Sequence, residues 1–217
     1  MSYKDLDGEE GWSANGEYEC EKCGTIQSPI NNTRVELGAN YNKKNVEAFL
    51  SRVGEKITSI DDEMELIRQL GIASNGAREY VSIFSRDGMI LHTQEGIEPG
   101  TVSLAKEAID MLKTAKENSI IMLHNHASNV GFSGVDIKFM CDYKSIEKIG
   151  AICHNGDKYF LAIGDGMRPL GDIAAKEYSK YITNRILPYI GEPMPLGLDK
   201  AIIQDAIKYI ADKYNWQ

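Results

Sequence analysis

The chain has 217 residues, 42% hydrophobic and 26% charged, with 20 glycines and 6 prolines, which suits one substantial buried core and excludes a disordered or fibrous chain. A formal charge of −8 argues against nucleic acid as a partner, because a phosphate backbone is held by clustered Lys and Arg. The opening "MSYKDLDGEEGWSANGEYE" has no basic stretch followed by an apolar one, and nowhere do eighteen apolar residues run together, so the expectation is a cytoplasmic protein with no membrane partner.

Residues 1–34 are polar and carry "YECEKCGT", reading as an appendage; 35–70 read as a helical segment, 71–168 as the core and 169–217 as C-terminal helices. In the helical segment Val46, Phe49 and Leu50, then Met64, Leu66, Ile67 and Leu70, recur at helical spacing, with a break near "SIDDE" where Ser59 or Asp61 can cap the second helix. "REYVSIFSRDGMILHTQEG" alternates, turns at "RDG" and resumes, predicting a hairpin. "TVSLAKEAIDMLKTAKENS" carries Val102, Leu104, Ala105, Ala108, Ile109, Leu112 and Ala115 as one helical stripe. "SIIMLH" predicts a buried strand, "SGVDIKFMCDYKSIEKIG" a helix beginning near Ser133, and "AICHNGDKYFLAIG" a second hairpin turning at "NGD". Strand, helix and strand in succession predict an α/β fold, a mixed β-sheet flanked by helices. Two amphipathic helices divided by "GEPMPLG" close the chain.

The chemistry concentrates in "LHNHASNVGFSGVD", residues 123–136. A strand sends residues two apart to the same side, so His124 and His126 can converge on one ion. Ser133 and Asp136 follow, and a helix starting at Ser133 places Asp136 in its first turn. Two imidazoles and a carboxylate are the protein ligands of an open catalytic zinc site, whose fourth position holds water. Each piece has a plainer use: a strand-end His-x-His serves structure, and Ser-x-x-Asp is also an N-cap with a dipole-favoured carboxylate. Their concentration within thirteen residues favours the metal site.

The stretch "HNHASNVGFSGVD" resembles the motif of the JAB/MPN, or JAMM, metalloproteases: His-x-His-Pro, a short loop, then Ser-x-x-Asp. The resemblance covers about residues 76–165 and implies a JAB/MPN-like, deaminase-like core. It implies that His124, His126 and Asp136 bind Zn2+ and that Ser133 helps hold the tetrahedral intermediate. Ala127 stands where the family has proline, and the loop is one residue shorter than in the eukaryotic deubiquitinases, as in JAB-like domains of bacterial and phage origin. The family also needs an upstream glutamate as general base. Glu79 in "REYVSIF" is the choice, with Glu95 and Glu98 as competitors and a solvated strand-end charge, paired with Arg78, as its plainer reading.

The resemblance therefore implies a zinc-dependent metallopeptidase acting on a peptide or isopeptide bond, its substrate a protein tail such as one joined to a ubiquitin-like protein, or a phage or host protein to be trimmed. The alternative is an inactive JAB-like scaffold that binds a protein partner. Amidohydrolase barrels also end a strand on His-x-His, but only 91 residues follow His126, too few for seven more strand-helix units. Zinc deaminases need Pro-Cys-x-x-Cys downstream of their histidine, whereas this CxxC lies upstream.

Cys20-x-x-Cys23 resembles one knuckle of a zinc ribbon without its partner; Cys141 and Cys153 fall in the expected core, where a thiol acts as a small hydrophobe. His92 and His154 read as surface histidines, and Trp12 and Trp216 as packing the ends of the chain onto the core.

Overall fold

The computed structural model describes residues 40–75, 78–96, 102–127, 131–190, 193 and 195–217, together with the backbone of three short strands near the N-terminus. The chain divides into two units, Met1–Val35 and Glu36–Gln217. In the first, β1 (Tyr3–Lys4), β2 (Tyr18–Cys20) and β3 (Ile26–Gln27) form an antiparallel sheet in that order. The side chains of Trp12, Cys20 and Cys23, and with them the zinc-knuckle reading, lie outside the described residues.

The second unit opens with α1 (Lys43–Leu50) and α2 (Ile60–Ala73). Ser59, not Asp61, caps α2 by accepting from the Asp62 amide at 3.0 Å, and Asp61, Asp62 and Glu63 load the first turn with the charge its dipole favours. Glu63 is buried and receives both arms of Arg52, at 3.0 and 2.8 Å, which ties the connection between the helices to α2.

The sheet follows: β4 (Tyr80–Ser85), β5 (Ile90–Glu95), β6 (Ile120–His126), β7 (Ile146–Cys153) and β8 (Lys158–Ala162), in the order β5-β4-β6-β7-β8. Only β6 and β7 run parallel, and a parallel pair needs a crossover, here α4 (Gly134–Asp142). Strand alternation divides the core. Val81, Ile83, Ile120, Met122, Ile149 and Ala151 face one side, covered by α3 (Lys106–Thr114), α4, α5 (Gly171–Ile186) and α6 (Leu198–Tyr214). Tyr80, Phe84, Leu123 and Ile152 face the other, covered by α1 and α2 through Phe49, Met64 and Ile67. The result is an α/β fold with a five-stranded mixed sheet flanked by helices. No described helix is long and apolar enough to cross a membrane.

Two helices are shorter than their sequence patterns predict. α3 starts at Lys106 rather than near Val102, because the Gln94 side chain accepts from the Ala105 amide at 2.7 Å and donates to the Ser103 carbonyl at 2.6 Å, holding that stretch extended. The helix beginning after Ser133 stops at Asp142, and Ile146–Gly150, expected to be helical, belongs to β7. Arg168 explains the stop. Its guanidinium donates to the carbonyls of Met140, Tyr143, Lys144 and Ile146 and to Asn118 Oδ1, satisfying the acceptors that a terminating helix exposes.

Cys141 and Cys153 are buried as expected, and burial pushes their thiols up to about 12 and about 11. Trp216 packs against Tyr214 and donates to the Met167 carbonyl at 2.8 Å, which fastens the end of α6 beside β8.

Arg168→Leu leaves several of these carbonyls without their charged donor and is expected to lower the unfolding free energy by about 2–4 kcal/mol in urea denaturation. A loss below about 0.5 kcal/mol would show that the turn between α4 and β7 does not depend on the guanidinium.

Candidate metal centre

The site starts from the alternation along β6. His124 and His126 share a face with Ile120 and Met122, whereas Leu123 and Asn125 point to the α2 side. Val81 of β4 pairs with His124, and carrying that antiparallel register two residues further sets Glu79 opposite His126, on the same face.

The third ligand arrives through the helix start. Ser133 caps α4: its amide donates to Asp136 Oδ2 at 2.7 Å, its hydroxyl donates to the same oxygen at 2.8 Å, and its oxygen receives the Asp136 amide at 3.3 Å. Both the capping reading and the ligand reading of Ser-x-x-Asp therefore hold together. The cap occupies Oδ2 and leaves Oδ1 aimed at His124 Nε2, 3.2 Å away. The loop leading into Ser133 is pinned from outside the motif by the Tyr178 hydroxyl of α5, which donates to the Phe132 carbonyl at 2.9 Å. It also runs close over β8 and α6: a Cβ at Gly131 would lie 2.8 Å from Ile203 and 3.0 Å from Tyr159.

His124 Nε2 lies 2.7 Å from His126 Nε2, and His126 Nε2 lies 3.5 Å from Asp136 Oδ2. Nitrogen and oxygen ligands about 2.0–2.1 Å from a tetrahedral ion sit ~3.3 Å from one another. With Asp136 Oδ1 as the free oxygen, His124 Nε2 lies 2.7 Å from His126 Nε2 and 3.2 Å from that oxygen, close to this value, and one ligand atom from each of the three residues lies within 4.8 Å of the others. His124 Nδ1 is buried and has no hydrogen-bond partner among the described residues, so the polar contacts of this ring lie on the Nε2 side. His124, His126 and Asp136 could hold a metal ion.

Burial favours the neutral carboxyl at Asp136, but the charges and hydrogen bonds of His124 and His126 outweigh it and hold the group well below the usual carboxylate range. Burial likewise lowers His126, yet the hydrogen bond and charge of Asp136 and the charge of Glu79 raise it overall. Glu79 is buried, not a solvated strand-end charge, and burial raises its pKa against the opposing charges of His126 and His124.

The remaining candidates lie elsewhere. Glu95 accepts from Tyr80 Oη at 2.9 Å and Tyr41 Oη at 3.2 Å, and Glu98 lies outside the described residues. His92 is half-buried and hydrogen-bonded to Gln94. His154, expected at the surface, is half-buried behind the sheet, where burial lowers its pKa and its Nε2 lies 3.5 Å from Asn125 Nδ2. Sequence reasoning missed Asn125, which bonds the backbone on both sides of Glu79, and Tyr178, which holds the Phe132 carbonyl just before the helix start; neither stands in a pattern that names its partner.

Fold and site together define an α/β protein with a two-histidine, one-carboxylate group at the end of a central strand that could hold a metal ion. No family model, curated protein or solved structure matches the chain.

A metal must displace any proton on the two imidazoles. Because the Asp136 and Glu79 charges raise the His126 pKa above that of an ordinary imidazole, that competition persists to higher pH than it would for a free histidine. Metal affinity is therefore expected to rise with pH, by about tenfold per unit for each proton displaced. Calorimetric titration with Zn2+ from pH 5.5 to 8.5 checks it, and a flat profile would show that His126 is not a ligand.

Proposed function

We propose that this chain is a zinc-dependent hydrolase of peptide or isopeptide bonds, of the JAB/MPN kind that its motif resembles. The observation that carries the reading is the convergence of His124, His126 and Asp136 on one point, with the buried carboxyl of Glu79 on the same face of the sheet.

A Zn2+ ion held by these three side chains would polarise a scissile carbonyl and ease the deprotonation of a water. The chain supplies the rest. Glu79 takes the proton of the attacking water onto its carboxylate and returns it to the departing nitrogen, and burial, which raises its pKa, makes it a better base than an exposed carboxylate. Ser133 is exposed at the cluster, and its hydroxyl, bonded to Asp136 in this structure, turns to donate to the oxygen that gains charge. The capping amide of Ser133 still holds Asp136 Oδ2 when the hydroxyl leaves. The substrate proposed is a protein or peptide, with tails joined to ubiquitin-like proteins and phage structural proteins as the first to try.

The purified chain is expected to bind about one Zn2+, to lose it in Asp136→Ala, and to keep it in Glu79→Gln while hydrolysis of a fluorogenic peptide library falls to background. Wild-type protein that takes up no added Zn2+ would overturn the enzyme reading, and metal-loaded protein that cleaves nothing would leave the partner-binding scaffold. Ser133→Ala separates the two roles of that residue: the lost cap costs about 1 kcal/mol in thermal unfolding, and the lost oxyanion donor costs about 10²-fold in kcat.

A further inference from the structure

Between the two histidines stands a residue that faces the opposite way. Asn125 is fully buried on the α2 side of the sheet. Its Oδ1 accepts from the Tyr80 amide at 2.7 Å, and its Nδ2 donates toward the Arg78 carbonyl at 3.4 Å. Those two backbone groups belong to the residues on either side of Glu79. The orientation of the carboxamide is fixed by chemistry: an amide N–H needs an oxygen and a carbonyl needs an N–H, so the group cannot be turned over. Because Nδ2 has no lone pair, His154 Nε2, 3.5 Å away, stands as its second acceptor.

The arrangement replaces part of the strand ladder. Regular β4–β6 pairing ends at Val81 and His124, and past that point the Asn125 side chain takes the place of a backbone partner for the residues flanking Glu79. Helix α2 backs it closely. A Cβ at Gly71 would lie 2.3 Å from Asn125 Nδ2 and 2.7 Å from His154 Nε2, so the carboxamide has room only while residue 71 lacks a side chain.

We infer that Asn125 is a positioning residue: it clamps the backbone on both sides of Glu79 and so holds that carboxylate against the His124, His126 and Asp136 cluster. The catalytic part of this inference rests on Glu79 being the general base; the clamp itself does not. One strand thereby presents the ligands from one face and steadies the base from the other.

Asn125→Ala tests it. In metal-free protein the Tyr80 amide is expected to exchange with solvent at least about tenfold faster than in wild type, with the amides of β7 unchanged. In the zinc-loaded protein kcat for the library peptide that wild type cleaves best falls about 10²-fold, the cost of a misplaced reacting group, while KM and Zn2+ affinity stay within about twofold. A merely structural loss would not confine itself to kcat. Gly71→Ala keeps every polar atom but crowds the carboxamide; it should move the same readouts in the same direction and serves if Asn125→Ala does not fold. Wild-type Tyr80 exchange, or a kcat within about twofold of wild type, would overturn the inference. Should wild type cleave no peptide, the hydrolase reading fails, and the exchange rates alone decide whether Asn125 holds Glu79.

Discussion

The alternation of side chains along β6 is the constraint on which the site depends. Because the period is two, His124 and His126 must share a face and Asn125 must take the other, and a slip of one residue would bury the histidines against α2 and turn Asn125 into the cluster. The register is held on both sides of the strand, by β4 running antiparallel and β7 running parallel. Ile120 and Met122 on one face and Leu123 on the other are all buried, so it is the polar end of the strand, His124, Asn125 and His126, that sets this register apart from its neighbours.

Asp136 shows how stability and chemistry share atoms. One carboxylate oxygen completes the cap of α4 and the other faces His124, so the residue that starts the crossover helix also completes the cluster. A carboxylate with both oxygens free would have more rotamers to lose on capturing an ion. Here the cap has already fixed it, and Tyr178 holds the Phe132 carbonyl just before it.

Much of this was legible in the sequence. The caps at Ser59 and Ser133, both hairpins and the two C-terminal helices follow from local pattern, and the three residues that could hold an ion follow from spacing within one short stretch. What could not be read depends on distant partners. Gln94 shortens α3 and Arg168 ends α4, and neither side chain lies in the segment whose conformation it decides. His154 reads from sequence as a surface histidine because nothing local says that Asn125 stands beside it. Glu79 was placed by resemblance, and only the pairing of β4 with β6 brings it to the face of the histidines.

The separation of these parts along the chain has a kinetic consequence. The three candidate ligands lie within thirteen residues, on one strand and the helix start that follows it, so bringing them together closes only a short loop. Glu79 arrives only when a strand 45 residues earlier docks alongside, and closing the longer loop costs more entropy. A chain whose β4 has not yet docked, during folding or in a local opening, can gather the ion's ligands without the proposed base. On the proposed function, competence to cleave would depend on a contact more distant in sequence than any between the candidate ligands themselves.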